Sequence, residues 1–181
     1  MVENRLICTG NSELISDLKK NIYIGDWCLE DTGVKKKIQN LKNNICEYHY
    51  NIDPNKIRKD WDYLSVLYDK VMNSLTIKLN QYHNKSFSRR YWEIIAGPSL
   101  VHLLSILWDR WETLKSVKKN FKIHEVAILK YDTFDYVPKD FNDLFSNKLD
   151  NHFWNNCIYS EIIKDSFNIK IVEIDFKKKR I

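Results

Sequence analysis

The sequence predicts an α/β protein: a Rossmann-like open parallel sheet of about five strands, with a helical insertion between the third and fourth. Three observations carry that expectation. Short apolar runs of strand length alternate with helix-like stretches over the first fifty residues and again after residue 124. A long uninterrupted three- and four-residue periodicity fills the middle of the chain. Strands separated by helices rather than tight turns imply βαβ units and therefore parallel pairing.

In order, Arg5-Leu6-Ile7-Cys8-Thr9, Asn21-Ile22-Tyr23-Ile24 and Ile45-Cys46-Glu47-Tyr48-His49 read as strands, with helix-like Ser12 to Lys19 and Lys35 to Asn43 between them. From Asp53, an N-cap with Pro54 at the first helical position, the pattern turns helical. Ile57, Trp61, Leu64, Val71, Leu75, Leu79 and Tyr82 fall on one face. A second helix starts near Ser88 and is expected to break at Gly97-Pro98, because proline disfavours the helical conformation of the residue before it and lacks an N–H. A third, Ser99 to about Lys118, carries Leu100, Leu103, Leu104, Leu107 and Trp111. These three helices make the insertion over 53–119. Glu125-Val126-Ala127-Ile128-Leu129 is the next strand, then a loop through Pro138, a helix near Asn151 to Lys164, and a last strand from Ile169 to Ile174. The chain then stops at Phe176–Ile181 with no helix to cover that strand, which predicts a single domain, 1–181, that ends before its fold does.

Composition excludes several classes. At 181 residues, with 44% hydrophobic content, the chain can bury a core without staples. Four of its five net positive charges sit in Lys177, Lys178, Lys179 and Arg180, so the body is nearly neutral and a broad nucleic-acid surface is not expected. Cys8, Cys28, Cys46 and Cys157 fit neither a zinc site nor a disulfide framework and read as buried reduced thiols. No signal peptide or membrane span is recognisable, which predicts a cytoplasmic protein with no integral segment, leaving room for contact at a membrane surface. The four glycines, at 10, 25, 33 and 97, cannot form either of the glycine-rich phosphate loops, so no nucleotide cofactor and no metal is expected.

What remains is positional. Ligands of open α/β sheets bind beyond the carboxyl ends of the strands. Thr9-Gly10-Asn11, Gly25-Asp26-Trp27 and His49-Tyr50 fall there. Gly25 would admit a close ligand, Asp26 would act as a base or bind hydroxyls, and Trp27 would stack on a sugar ring. The alternative is that Asp26 caps a turn and Trp27 packs under the next helix. His49 is titratable near neutral pH at the same rim. Arg89, Arg90 and Arg110, around Tyr91, Trp92 and the Gly97-Pro98 break, suit phosphate or carboxylate recognition, with a solvated face or a salt bridge as the alternative.

Several of these strings occur in one order: Tyr23-Ile24-Gly25-Asp26-Trp27-Cys28, Tyr48-His49-Tyr50, Arg90-Tyr91-Trp92 with Gly97-Pro98, Asp109-Arg110-Trp111, Tyr136-Val137-Pro138, and Trp154-Asn155 with Ser160-Glu161-Ile162. Together they resemble a family of transferases encoded in bacterial O-antigen and other surface-polysaccharide gene clusters. The sequence departs from that family after the first strand, where Thr9 is followed by Gly10-Asn11-Ser12 with no tryptophan. The resemblance implies the N-terminal domain of a longer two-domain, glycosyltransferase-B-like enzyme. Such a domain binds the sugar or polysaccharide-precursor acceptor, while a C-terminal domain holds the donor. It implies Asp26 or His49 as the base, and Gly25, Trp27, Arg90, Tyr91 and Arg110 around the substrate. The competing expectation is a non-catalytic binding or scaffold domain that uses the arginine and tryptophan face.

Overall fold

The computed structural model describes residues 4–15, 18, 20–32 and 41–175. Most of the helix expected over Lys35 to Asn43 and the basic tail lie outside the described residues; of the helix expected from Ser12, the structure forms a 3-10 turn at Ser12–Leu14. The chain divides into two compact units, Met1–His49 with Trp111–Ile181, and Tyr50–Arg110.

The first unit is built on a parallel sheet of β1 (Arg5–Ile7), β2 (Asn21–Tyr23), β3 (Glu125–Leu129) and β4 (Lys170–Ile174), in the order β2-β1-β3-β4. Parallel strands are buried on both faces, which is why β1 to β3 read as unbroken apolar runs. β4 pairs on one side only among the described residues, and it interleaves exposed Lys170 and Glu173 with its apolar residues, as an edge tolerates. Register is pinned at the amino edge, where Arg5, Glu125 and Lys170 stand side by side on β1, β3 and β4. Arg5 Nε donates to Glu125 at 2.7 Å and Lys170 Nζ lies 3.0 Å from it, and these bonds hold the Glu125 carboxyl below its usual range.

Four strands form among the described residues, not five. The expected third strand shrinks to a bridge between Ile45 and Tyr23, with Cys46 N–H donating to the Tyr23 carbonyl at 2.8 Å. At an edge a segment gains ladder bonds from one neighbour only, and here the chain turns into the short helix α1 (His49–Ile52) after one contact. All four cysteines are free and buried. Burial pushes the Cys28 thiol up to about 12, so it stays protonated and unreactive.

The second unit is a helical hairpin of α2 (Lys56–His83) and α3 (Arg89–Asn120), whose residues from Trp111 onward belong to the first unit. Asn84 closes α2 in the left-handed conformation at φ 51°, with its N–H bonded back to Asn80. The Asn80 carboxamide clasps the Phe87 N–H and carbonyl at 3.0 and 2.9 Å and accepts from Trp92 Nε1 at 2.9 Å, which fixes the turn.

The expected break at Gly97-Pro98 does not occur: α3 runs through it, so the region holds two long helices instead of three. Proline crowds both the N–H and the Cβ of its predecessor, and Gly97, with no Cβ, is spared part of that clash. Pro98 also lies on an exposed side of α3, where water can serve the carbonyl of Ile94 that its missing N–H leaves unpaired. With no new helix start there, the break supplies no set of free helix N–H groups that could bind an anion beside the arginines.

Near the other end of the hairpin, buried Asp60 accepts from Tyr50 Oη at 2.9 Å and pairs with Lys56, whose ammonium lies over the Tyr50 and Trp108 rings at 5.4 and 5.6 Å. Burial acts to raise the Asp60 pKa, but the bonds from Lys56 and Tyr50, with the Trp108 indole beside them also favouring the charged form, outweigh it and the carboxyl ends below its usual value. A lowered carboxylate stabilises the fold above its unfolded pKa and loses that contribution as pH falls through the folded one. Asp60→Asn is therefore expected to destabilise the protein by about 1–3 kcal/mol at pH 7, with the difference from wild type shrinking below about pH 4. Urea unfolding at the two pH values measures this, and a pH-independent difference would contradict it.

Among the described residues no helix is long and apolar enough to cross a membrane, and no group of three or more His, Cys, Asp or Glu side chains forms a metal cage.

Candidate functional site

The order β2-β1-β3-β4 puts the topological switch point between β1 and β3, where connections leave the sheet in opposite directions and a crevice opens at the carboxyl edge. The first turns of α4 (His152–Ser166) occupy that place. On the β1 side, Thr9 Oγ1 donates to the His152 carbonyl at 2.7 Å and the Gly10 N–H donates to His152 Nδ1 at 3.2 Å. On the β3 side, the buried Asn156 carboxamide accepts from the Leu129 N–H at 2.9 Å and donates to its carbonyl at 3.0 Å. The β1 ladder ends at the pairing of Ile7 with Ala127, so Asn156 satisfies the next backbone groups of β3 in its place. Asn151 caps the helix by accepting from Trp154 N–H at 2.9 Å, and Trp154 Nε1 anchors it to the Tyr136 carbonyl at 2.9 Å.

Two aromatic rings stack on this edge. Trp27, in the 3-10 turn Asp26–Thr32 that follows β2, stacks with His152 at a centroid separation of 6.1 Å and an interplanar angle of 15°. Each ring rests on a glycine. A Cβ at Gly25 would come within 2.4 Å of Trp27 Nε1, and one at Gly10 within 2.6 Å of His152 Cε1. Two of the four glycines thus mark the carboxyl ends of adjacent strands because rings cover the backbone there. Since Nδ1 of His152 accepts the Gly10 N–H, the ring proton sits on Nε2.

Of the residues singled out from sequence, Gly25 and Trp27 are half-buried parts of this shelf and Asp26 is exposed beside them. His49, four residues past the Ile45 bridge, is 6% exposed, with its ring 4.8 Å from that of Tyr48. Arg90, Tyr91 and Arg110 belong to the hairpin unit. Arg90 is exposed and has no ion pair or hydrogen bond of its side chain among the described residues. Tyr91 packs against Phe87 and Trp92 at 4.1 and 5.1 Å, and Arg110 pairs with Asp109 at 2.8 Å.

His152 is the residue that sequence reasoning missed. A signal existed: the helix before the last parallel strand must begin at the carboxyl edge, so the first residue after its N-cap Asn151 belongs on the rim.

Neither the curated proteins nor the solved structures compared with this chain contain a match. A family model does match, over residues 4–180, and its description is that of a transferase. With nearly every residue inside that match, the chain belongs to the LIC12162 family of transferases.

Proposed function

We propose that this chain is the acceptor-side portion of a sugar transferase acting in O-antigen or other surface-polysaccharide assembly, and that the acceptor binds at the carboxyl edge of the sheet. The observation that supports this most directly is the Trp27–His152 shelf over Gly25 and Gly10 beside the switch point. A pyranose presents a flat C–H face to an aromatic ring, and the half-buried Trp27 ring, held near-parallel to its stacking partner His152, offers it a platform. Asp26, exposed and next to Trp27 in the chain, is the base this reading assigns to a hydroxyl on that platform. As the acceptor oxygen bonds to the sugar carbon of an activated donor and the leaving group departs from it, Asp26 takes the hydroxyl proton. His49 is buried, which fits support of the rim better than contact with the acceptor. On this reading the donor is held elsewhere in the enzyme, in keeping with the lack of a glycine-rich phosphate loop.

Calorimetric titration of the chain with free mono- and oligosaccharides, and separately with nucleotide sugars, tests the assignment. Saccharide binding that falls at least about tenfold in Trp27→Ala, a loss of roughly 1.4 kcal/mol, is expected, with Asp26→Asn binding as well as wild type. Nucleotide-sugar binding tighter than about 10 μM that is indifferent to Trp27→Ala would assign the donor, not the acceptor, to this chain. The second reading, a binding module working through the hairpin, rests on the exposure of Arg90 and of Trp61.

A further inference from the structure

The α2–α3 hairpin has a thin core. Met72, Trp92 and Leu100 are the buried members of its apolar cluster, while Trp61, Ile94 and Val101 stay 66%, 67% and 40% exposed. These exposed residues line two grooves between the helices. One, of about 430 Å³, includes Arg90, Ile94 and Gly97; the other, of about 310 Å³, includes Trp61 and Leu104. Both share Tyr68 and Val101 and so adjoin there, a channel in two parts with Arg90 in one and Trp61 in the other. Its middle is marked where Tyr68 Oη meets Gly97, since a Cβ there would lie 2.7 Å from that oxygen.

The ends are spaced alike. Trp61 precedes Tyr68 by seven residues on α2, and Arg90 precedes Gly97 by seven on α3. At 1.5 Å per residue each lies about 10.5 Å from the central contact, and because the helices of a hairpin run in opposite directions the two displacements are opposed. A two-fold axis through the centre therefore exchanges the two positions. Neither side chain has a polar, ionic or ring partner among the described residues.

We infer that this face pairs with the same face of a second copy of the chain, with each Arg90 guanidinium set over the Trp61 ring of the other copy. An isologous contact makes every such pair twice, and arginine over the face of a tryptophan is the favoured form of the cation–π contact. Ile94 and Val101, three and four residues to either side of Gly97, meet around the axis and lose their exposure. Two hairpins joined this way make a four-helix packing, the usual way for a pair of amphipathic helices to bury a second face. The contact covers about 400 Å² per copy if limited to the channel and about 800 Å² if it spans α2, which spans the range from weak pairs to standard interfaces. The dimer is thus concentration-dependent.

Sedimentation equilibrium of the 181-residue chain tests this. A reversible dimer is expected, with a dissociation constant raised at least about tenfold by Trp61→Arg, which opposes two guanidinium groups, and by Arg90→Glu. The double variant Trp61→Arg/Arg90→Glu, which opposes a carboxylate and a guanidinium, should recover dimerisation. Both positions are exposed, and unchanged far-ultraviolet circular dichroism confirms that the single variants fold. A chain monomeric up to about 100 μM, a dimer indifferent to both single changes, or a double variant no better than either single one would overturn the inference.

Discussion

Asn156→Leu, a change of similar volume, is expected to lower the stability of the chain by about 2–5 kcal/mol. Asn156 is 1% exposed, and its carboxamide makes both bonds to Leu129, at 2.9 and 3.0 Å, at the point where β1 has ended beside β3. Removing it strands a backbone N–H and a backbone carbonyl in the interior. Each such group costs about 1–3 kcal/mol, because no water replaces the lost partner. Leucine fills the space, so the loss isolates hydrogen bonding from cavity formation. Asn156→Asp sharpens the test. A carboxylate still accepts from the Leu129 N–H, but its second oxygen then faces the carbonyl, and only the protonated acid can donate to it. Burial and that carbonyl favour the protonated form in the fold, so the group supports stability at low pH and loses that support as pH rises. This variant should lie closer to wild type at pH 4 than at pH 7. Urea unfolding at both pH values gives the numbers; a loss below about 1 kcal/mol for Asn156→Leu would mean the crevice at β3 is not closed by this side chain.

The parts of the fold legible in the sequence are those where one physical demand dictates residue type over a whole segment. β1, β2 and β3 must be apolar on both faces, and α2 must present a stripe at helical spacing, so their positions could be read directly. The run Ile45 to His49 satisfies the same composition rule yet forms one bridge, because composition does not reveal that the chain turns into α1 immediately afterwards. Gly97-Pro98 was misleading for a different reason. Glycine before the proline removes the Cβ part of the clash with the preceding residue, and the tight approach of Tyr68 Oη gives Gly97 a packing reason to be there. At the candidate site, the place of Gly25, Asp26 and Trp27 after a strand was legible from position alone. His152 was not, since its contacts are with Gly10 and Trp27, more than a hundred residues away in the chain, and come from α4 lying over the switch point.

Gly10→Ala should act at that long-range contact with little else changed. The new methyl would sit 2.6 Å from His152 Cε1 and 3.0 Å from Nδ1, closer than packed carbon atoms approach, so the imidazole must swing away from β1. Moving it breaks the 3.2 Å bond from the Gly10 N–H and the parallel arrangement with Trp27, and the overpacking itself costs about 1–3 kcal/mol. Stability is therefore expected to fall by that amount. Saccharide binding at the proposed acceptor shelf is expected to fall at least about tenfold. A double-mutant cycle separates the two effects. In a His152→Ala background the methyl meets an empty space, so Gly10→Ala should then be close to neutral in thermal unfolding while binding stays lost. If Gly10→Ala were equally damaging with and without the imidazole, the strain would lie in the β1 backbone and not in the shelf. If binding survived in both single variants, His152 would be part of the scaffold alone, and the platform for the acceptor would reduce to Trp27.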